Sequence, residues 1–404
     1  MMEVENKMTE EKKTNAASAS KAEALDIEKI REDINEIDTQ IADLFNSRMH
    51  KSLEIAEYKK ANKLPIFNNT REKAILHRIS ERVGEPFDGY ARVVFNTIFD
   101  VSKSAQHGCL DGSRQLSGKI QKALEDTPSL FPKKAIVACQ GIAGSYSQAA
   151  CEKLFEAPSI MCFDNFEGVF NAVEKGLCQY GILPIENSSY GSVTAVYDLM
   201  QNYNFHIARS LRLRIHHILM AKPGTQLSDI KEIVSHEQAI GQCGDFIKSL
   251  KNVKITICKN TAIAAKMVSE SGRNDIAAIS SQECLDLYGL IPLKDNIQIS
   301  DNNYTRFICI SKNMEIYPGS NKISLILSVP HVPYALYHTI AKFATLGINL
   351  TKLESRPIPG SDFEFMFYFD MDASVYSEEV LHVLDDLADS KETFVFLGCY
   401  NEQL

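Results

Sequence analysis

The sequence predicts a multidomain protein with an all-α segment, a two-lobed α/β segment and a small α+β module, in that order along the chain. The first segment contains a long stretch without Pro or Gly, in which apolar residues recur every three or four positions. After residue 134, short apolar strands alternate with helical segments. After residue 322, the elements follow the order β-α-β-β-α-β. A chain of 404 residues is long enough for two or three such domains.

The composition excludes several classes of partner. Apolar residues make up 45% of the chain and charged residues 24%, as in soluble globular proteins. The net charge of −9 disfavours nucleic acid and anionic membranes, and no apolar run approaches the ~18 residues of a membrane span. The ten cysteines form no CxxC pair, which predicts reduced thiols in a cytoplasmic protein and no structural metal. Residues 1–24 are polar and are predicted to be a disordered leader.

Residues 25–107 are predicted to be all-helical. Helical periodicity runs from Leu25 to Lys60, Pro65 ends it, and two further helices are expected at about 70–83 and 90–106. The periodic positions of the first helix are Ile27, Ile30, Ile34, Ile37, Ile41 and Leu44. The next position in this three- and four-residue spacing is Arg48. It is either a surface arginine whose charged end reaches solvent or part of a functional site.

Arg31 and Arg48 lie on the same predicted helix, roughly 25 Å apart along its axis. One small molecule cannot contact both, so the two arginines must serve different sites. The long helix also needs a partner for its apolar stripe. An intertwined dimer that donates Arg31 across the interface meets both requirements.

These residues resemble the all-helical chorismate mutase domain through KIREDINEID, SRMHKSLEIAEYKK, NNTREK and SKSAQ. The resemblance implies a dimer that rearranges chorismate to prephenate, a pericyclic reaction that needs a positioned, charge-stabilised dianion and no proton transfer. Asn68 departs from the acidic residue that is usual at its position. The resemblance assigns catalysis to Lys59, Glu72 and Gln106, and substrate binding to Arg31, Arg48, Asn68, Arg71 and Ser102.

Residues 108–133 mix Gly, Ser, Pro and charge, and are predicted to be a linker with one short helix. In residues 134–314, short apolar strands alternate with helical segments, as in α/β proteins. Within this segment, the stretch 261–281 repeats the helix, turn and apolar strand of 166–188. This repeat predicts two similar lobes with a cleft between them. Near the end of the segment, Thr305 and Arg306 precede an apolar run; a strand-edge salt bridge and a substrate contact both explain the arginine.

This segment resembles prephenate dehydratase through four motifs in the family order: GIAGSYSQAA, PIENSSYGSV, SHEQAIGQC and NYTRF. The first motif lacks GxGxxG spacing, so no dinucleotide cofactor is expected. The resemblance implies a periplasmic-binding-protein-like architecture, conversion of prephenate to phenylpyruvate, and Thr305 as the donor to the departing hydroxide. His236 is either an acid or a structural histidine, and the second reading is favoured. Substrate binding is assigned to Asn187, Ser235, Gln242 and Arg306.

The order of elements in residues 322–404 predicts a ferredoxin-like module, a fold that more often binds and regulates than catalyses. The module resembles the ACT domain, and GINLTKLESRP matches the segment that binds phenylalanine in feedback-inhibited dehydratases. Tyr334 stands where the family has glycine, which adds bulk where the backbone approaches the ligand. The resemblance implies phenylalanine as effector, held by Ala335, Leu336, Glu354, Ser355 and Arg356.

Together these resemblances predict a bifunctional, cofactor-free, cytoplasmic enzyme of phenylalanine biosynthesis that takes chorismate and prephenate, is inhibited by phenylalanine and forms a homodimer or larger homo-oligomer. A non-catalytic sensor of chorismate, prephenate or an aromatic amino acid is the alternative, because the two-lobed and C-terminal segments both suit ligand binding. Turnover of chorismate distinguishes the two.

Overall fold

A computed structural model describes residues 26–62, 64, 69–109, 115–300, 302–358, 365–390 and 393–404. The predicted leader and Asn68 lie outside the described residues, as does most of the turn expected between the middle strands of the C-terminal module. The chain forms two compact units, Met1–Gly112 and Ser113–Leu404.

The first unit contains the three predicted helices: α1 (Ile27–Asn62), α2 (Asn69–Val83) and α3 (Asp88–Cys109). Helix α3 packs against both of the others. In α1, whose residues are all described, only Ser52 and Ala56 are buried. Ile41 and Leu44 are 58% and 70% exposed, so the apolar stripe predicted from the sequence has no cover within this unit.

The second unit begins with a helix inside the predicted linker. Helix α4 (Gln115–Asp126) buries Ile120 and Ala123 in the core of the C-terminal module. The backbone N–H of Ser117 donates to the Asp385 carboxylate at 3.0 Å. The one short helix expected within residues 108–133 is present at residues 115–126, and it packs its apolar face because an amphipathic helix of this length gains stability in that way.

The first α/β lobe is built on parallel strands β1, β2 and β3, flanked by helices. Strand β11 adds antiparallel to β3, and β5 adds antiparallel to β11, so β5 runs in the same direction as β1–β3. Its elements are β1 (Ile136–Gln140), α5 (Tyr146–Leu154), β2 (Ser159–Phe163), α6 (Phe166–Glu174), β3 (Tyr180–Asn187), β4 (Gly191–Ser192), α7 (Thr194–Met200), β5 (His206–Arg214) and β11 (Tyr304–Ser311).

The second lobe has its own five-stranded sheet in the order β10-β6-β9-β7-β8. Its elements are β6 (Ile218–Ala221), a 3₁₀ turn (Leu227–Asp229), β7 (Glu232–Ser235), α8 (Glu237–Gln242), α9 (Gly244–Ser249), β8 (Lys254–Ile257), α10 (Thr261–Glu270), β9 (Ile276–Ser280), α11 (Glu283–Tyr288) and β10 (Ile291–Lys294). The chain enters this lobe after β5 and leaves it before β11. The two lobes are thus joined by two connections, which confirms the two-lobed α/β prediction.

The C-terminal module follows the predicted order β-α-β-β-α-β. Its elements are β12 (Lys322–Val329), α12 (Ala335–Thr345), β13 (Asn349–Pro357), β14 (Phe365–Asp372), α13 (Glu378–Ser390) and β15 (Phe394–Gln403). The four strands are antiparallel in the order β13-β14-β12-β15.

Strand β15 joins this module to the first lobe, because its last residues pair parallel with β5 and make one continuous sheet. Gly398 adopts φ +149°, and a Cβ there would lie 2.4 Å from the carbonyl oxygen of Ile207. Glycine is required at this crossing because any side chain would collide with β5. Among the described helices, none is both long and apolar enough to cross a membrane.

Candidate active sites

A cavity of about 490 Å³ lies between the two α/β lobes. The first lobe contributes strand ends and the start of α5, and the second contributes α8 and the start of α10. Of the described residues that line it, none is Asp or Glu, and one, Lys259, is a lysine or arginine. The lining includes Ser145, Asn187, His217, His236, Gln242, Lys259, Asn260, Thr305 and Phe307.

Thr305 reaches this cavity because β11 starts at the cleft. In the sheet, Thr305 pairs with Asn187, the last residue of β3. Thr305 and Phe307 line the cavity, since alternate residues of a strand share a face. The Nδ2 amide of Asn187 donates to the Thr305 hydroxyl oxygen at 2.9 Å. The structure therefore brings together two of the residues predicted from separate motifs.

Gln242 joins the same cluster from the second lobe. Its Nε2 lies 3.4 Å from Asn187 Oδ1 and 3.3 Å from Asn303 Oδ1. Its Oε1 accepts from Asn303 Nδ2 at 3.0 Å and contacts His217 Nε2 at 2.7 Å. Asn187 Nδ2 also donates to Asn303 Oδ1 at 3.1 Å. The amide donors of Asn187 and Gln242 are thus engaged within the protein, which does not fit their predicted role as substrate donors.

Sequence reasoning missed His217 and Asn303. His217 is 2% exposed, and burial lowers its pKa to about 4, so its ring is neutral at physiological pH. The signal was present, because His216 and His217 stand directly before the apolar strand β6. Asn303 is 1% exposed and directly precedes β11 in the NYTRF motif. A buried polar side chain at a strand end is typical of a functional site.

His236 also lines the cavity, and its ring caps a helix. The Nδ1 atom accepts from the backbone N–H of Gln238 at 3.3 Å, at the start of α8. Burial lowers the pKa of His236, which disfavours the protonated form that an acid needs. This geometry favours the structural reading of His236.

The structure does not bring Arg306, a predicted substrate contact, to the cavity. Arg306 is 6% exposed, does not line the cavity and pairs with the carboxylate of Asp370 on β14. Strand alternation places it on the face opposite to Thr305. Glu186 and Glu402 lie 3.8 and 3.9 Å from its guanidinium nitrogens. The salt-bridge reading explains this arginine, which joins the first lobe to the C-terminal module.

The structure does not bring Ser235, another predicted substrate contact, to the cavity either. Ser235 is fully buried, and its hydroxyl donates to the carbonyl oxygen of Ile279 at 2.7 Å. It connects neighbouring strands of the second lobe and does not line the cavity. Sequence adjacency to His236 suggested a site role, but neighbouring residues at a strand end point in different directions.

The motif GIAGSYSQAA forms the loop and helix start at which the two lobes touch. Gly144 adopts φ +84°, and a Cβ there would lie 2.7 Å from Cys284 Sγ. The Gly144 carbonyl accepts from the Ser281 hydroxyl at 3.1 Å. Ser145 caps α5, and Asn260 caps α10 through a 2.7 Å bond from the N–H of Ile263. Two helix N-termini, one from each lobe, thus border the cavity.

The helical unit brings a second set of predicted residues together. Arg48 Nη1 donates to the hydroxyl of Ser102 at 2.5 Å, and Lys59 Nζ donates to Gln106 Oε1 at 3.3 Å. Gln106 Nε2 donates to Ser52 at 2.7 Å. Burial lowers the pKa of both Arg48 and Lys59, and the Glu72 carboxylate offsets part of this effect at Lys59. A partly buried cluster of donors and cations lies between α1 and α3.

Not all of the predicted mutase residues join this cluster. Glu72 Oε1 lies 3.5 Å from Lys103 Nζ, close to the cluster, and Arg71 is exposed in the first turn of α2. Arg31 lies near the other end of α1, where it is exposed and pairs with Glu28 at 2.8 Å. The structure of one chain therefore separates Arg31 from the Arg48 cluster.

The predicted effector residues divide between two places. Leu336 lines a cavity of about 370 Å³ formed by the end of β12, the start of α12 and the start of β14. Glu354 and Arg356 do not line this cavity, because both contact the first lobe. The Glu354 carboxylate accepts from the Ser192 hydroxyl at 2.7 Å, and Arg356 Nε donates to the Asp198 carboxylate at 2.8 Å. Ala335 packs against the module core, and Ser355 is exposed.

The cleft, lined by neutral hydrogen-bonding groups and one lysine, defines a site for a small anionic molecule. The family model for prephenate dehydratase matches residues 137–315, and the model for chorismate mutase type II matches residues 30–107. An arogenate dehydratase/prephenate dehydratase of Arabidopsis thaliana is 37% identical over 66% of this chain and 72% of its own length. A bifunctional chorismate mutase/prephenate dehydratase of Enterobacter agglomerans is 30% identical over 92% of this chain and 95% of its own length.

Two solved structures share the fold of about two thirds of the chain. A prephenate dehydratase from Arthrobacter aurescens in complex with L-Phe has a TM-score of 0.61 and 29% identity, and covers 66% of this chain and 89% of that one. GqqA, described as a quorum-quenching acylase, has a TM-score of 0.60 and 30% identity, and covers 66% of this chain and 97% of that one.

The chain belongs to the family of bifunctional chorismate mutase/prephenate dehydratases, with both domains on one polypeptide. The prediction of this family from the sequence motifs is confirmed, and so is the prediction of an enzyme rather than a sensor.

Proposed function

We propose that the helical unit rearranges chorismate to prephenate and that the cleft then converts prephenate to phenylpyruvate, carbon dioxide and water. The observation that carries the second step is the Thr305 hydroxyl, held at 2.9 Å by Asn187 in a cavity whose described lining contains no carboxylate. A single hydroxyl donor suits this reaction, because aromatisation of the ring supplies the driving force.

In the dehydratase step, the bond from the ring to its carboxylate breaks, and the electron pair enters the ring. The carbon–oxygen bond on the opposite side of the ring breaks, and the departing hydroxide takes a proton to become water. Thr305 donates a hydrogen bond to that oxygen as negative charge develops on it, which stabilises the transition state more than the bound substrate. A threonine hydroxyl is a poor free acid, so the proton is supplied by the solvent and relayed to the departing hydroxide through water in the cleft.

The carboxylates of prephenate require positive partners. Lys259 and the N-termini of α5 and α10 supply them, since unpaired N–H groups at a helix start favour anions. Among the described residues, Lys259 forms no ion pair with a carboxylate, so its charge is available to the substrate. It stands in the loop between β8 and α10, at the edge of the second lobe.

The mutase step needs charge placement and no proton transfer. Arg48 binds a carboxylate, Lys59 and the second amide proton of Gln106 face the breaking ether bond, and Glu72 accepts from the ring hydroxyl. Ser102 orients Arg48. Arg71, in the first turn of α2, and Asn68 remain predicted substrate contacts.

A homodimer completes the mutase site. The exposed stripe on α1 supports this, because Ile34, Ile37, Ile41 and Leu44 are each about half exposed or more, and a single copy leaves them in water. A second copy of the unit covers the stripe and brings its own Arg31 to the Arg48 cluster. Arg31 cannot reach that cluster within one chain.

The C-terminal module is a ferredoxin-like ACT domain that binds phenylalanine. The antiparallel strand order supports the ferredoxin-like assignment. Tyr334 adopts φ +69°, the left-handed conformation in which glycine is unstrained, so the backbone keeps the form that the family's glycine would give it. The relative from Arthrobacter aurescens was solved with L-Phe. Calorimetry tests this assignment: phenylalanine should bind the protein, and binding should tighten in Tyr334→Gly.

We place the mutase domain at 25–107, the dehydratase domain at 134–314 and the regulatory domain at 322–404. A cytoplasmic location remains a prediction. The fold shared with GqqA does not bring acylase activity to this chain, because unrelated activities recur on one fold.

One assay tests the two activities. The purified protein is given chorismate, and phenylpyruvate is followed by its absorbance in alkali. Appearance of phenylpyruvate is the expected result, with prephenate as a transient intermediate. Tight binding of chorismate or prephenate without turnover would instead support the sensor.

A further inference from the structure

The direction of the Thr305 hydroxyl decides whether it can act on a leaving group. A hydroxyl has one proton, and it can donate that proton to the substrate only if its neighbours in the protein donate to its oxygen. Among the residues that the structure describes, Thr305 has one such neighbour, the side-chain amide of Asn187. The orientation of that amide therefore sets the direction of the hydroxyl.

Backbone atoms fix the Asn187 amide. Its Oδ1 accepts from the backbone N–H of Ser189 at 2.9 Å and of Tyr190 at 3.0 Å. A backbone N–H is always a donor, so the atom facing these two groups must be the oxygen. The atom facing Thr305 is then the nitrogen, and the Thr305 oxygen is its acceptor. The Thr305 proton is left to point away from Asn187, into the cavity.

The same reasoning extends to Gln242. Because Asn187 presents oxygen to it, Gln242 must present its NH₂ group to Asn187 and its oxygen to the opposite side. On that side lies His217 Nε2, 2.7 Å from Gln242 Oε1. An oxygen can only accept, so Nε2 of His217 carries the proton. Asn303 Nδ2 donates to the same oxygen at 3.0 Å.

We propose that His217 is a positioning residue for the dehydratase reaction, whose Nε2–H holds Gln242, and through Gln242 and Asn187 holds the Thr305 hydroxyl as a donor directed into the cavity. This inference rests on the proposed function of the cleft. Each hydrogen bond in the chain has a defined direction, from the imidazole at one end to the hydroxyl at the other.

This series of hydrogen bonds explains why the side-chain amides of Asn187 and Gln242 bond to other protein groups and not to the substrate. Without a partner at its far end, Gln242 loses its strongest restraint, and its amide can rotate to present oxygen to Asn187. The two amide oxygens then repel each other, which displaces the Asn187 amide from Thr305, and the Thr305 hydroxyl is no longer held toward the cavity. A hydroxyl already directed at the leaving group needs no reorganisation during the reaction, which is the main source of electrostatic catalysis.

The test compares His217→Phe, His217→Gln and a control, His216→Phe. Phenylalanine keeps the ring volume of His217 without the N–H, and glutamine offers an N–H at a similar reach. His216 is the neighbouring histidine, and its ring faces Asp295 at 3.2 Å, outside the chain of amides. Initial rates are measured with prephenate for the dehydratase and with chorismate for the mutase.

His217→Phe should lower the dehydratase kcat by about 10- to 100-fold with KM changed less than about threefold, because the substrate contacts remain. His217→Gln should restore most of the lost kcat, and His216→Phe should not lower the dehydratase kcat. The mutase rate of all three proteins should equal that of the wild type. A His217→Phe kcat within about twofold of the wild type, or a loss that glutamine does not reduce in a folded protein, would overturn the proposal.

A double-mutant cycle with Thr305→Val covers the case in which His217→Phe destabilises the fold. If His217 acts through Thr305, the two replacements together should cost no more than Thr305→Val alone. Additive losses would overturn the proposal. Isosteric Asn187→Asp supplies a second route: it replaces the donor to Thr305 by an acceptor and should lower kcat at least as much as His217→Phe. If the wild type itself fails to convert prephenate, the proposed function fails instead.

Discussion

The two sites of this chain differ in the charge of their side chains and in the elements that carry them. The mutase cluster uses charged and long polar side chains on helices whose apolar stripe is exposed, with Leu44 at 70%. The dehydratase cleft uses short amides and hydroxyls at strand ends, with His217 at 2% and Asn303 at 1% exposure. In the proposed dimer, the first site needs a residue from a second copy, whereas the residues of the second site come from one chain. Charge on flexible side chains tolerates assembly from two copies, whereas a directed chain of neutral hydrogen bonds requires a rigid, buried frame.

The largest expected effect separates the two sites completely. Thr305→Val removes the hydroxyl while keeping side-chain volume, so it should lower the dehydratase kcat by about 10²- to 10⁴-fold. The mutase rate should not change, because Thr305 lies in the second unit. Thr305→Ser, which keeps the hydroxyl, is the matched control and should retain most activity. A valine variant that still forms phenylpyruvate at the wild-type rate would show that the donor is elsewhere.

The next prediction tests assembly of the mutase site from two copies. Arg31→Ala and Arg48→Ala should each abolish most mutase activity as homodimers. After unfolding and refolding together, mixed dimers carry one intact site and one site with both changes. Random mixing should restore about one quarter of wild-type activity, since half of the dimers are mixed and each has one intact site. No recovery, with mixed dimers demonstrated by differential tagging, would contradict the shared site.

A smaller effect is expected at the single lysine of the cleft. Lys259→Met should raise the KM for prephenate about 10-fold and change kcat less than about twofold, because it removes a carboxylate contact that bound substrate and transition state share. Added salt should raise the wild-type KM and have less effect on the variant. Lys266→Met, on the same lobe in α10 and outside the cavity lining, is the control. An unchanged KM in Lys259→Met would leave the helix N-termini as the anion site.

The smallest effect concerns the stability of the second lobe. The Thr256 hydroxyl donates to Glu232 at 2.6 Å, and this bond, followed by that from Arg273, lowers the pKa of Glu232 to about 2. The unfolded chain binds this proton more readily, so the stabilisation is full above about pH 4.5 and is lost as pH falls toward 2. Thr256→Val should therefore lower Tm by about 2–4 °C at pH 7.

The pH dependence of the change in Tm distinguishes a hydrogen bond to the Glu232 carboxylate from a packing effect of the Thr256 side chain. The difference in Tm between Thr256→Val and the wild type should shrink as the pH falls below about 4.5. In a Glu232→Gln background, the threonine replacement should have no pH-dependent effect. A constant difference across this range would show that the hydroxyl acts through packing.

Sequence patterns were sufficient for the elements of each segment. The three-four rhythm from Ile27 to Leu44 is realised as one continuous helix, and the repeat of helix and strand is realised as two lobes. Sequence patterns did not show which surface each element packs against. Helix α4 falls in a Gly- and Ser-rich stretch, yet it packs because Ile120 and Ala123 meet the core of the C-terminal module. No local signal in the sequence reports that distant surface.

The site residues divide in the same way. Motifs identified Thr305, Asn187 and Gln242, which the fold brings together from three separate segments. The same motifs included Arg306 and Ser235, whose side chains point away from the cavity. A one-residue step along a strand reverses the side-chain direction, and spacing in a motif does not show which face looks at a ligand.

The sequence by itself determined the elements, their order, the family and the kinds of chemical group near each site. These follow from local periodicity and from residue types, which are properties of short segments. Only the tertiary structure decided which groups meet and which atom of each donates. Hydrogen-bond direction in the cleft depends on the backbone N–H groups of Ser189 and Tyr190 and on a histidine from another part of the fold, and such contacts exist only after the chain has closed on itself.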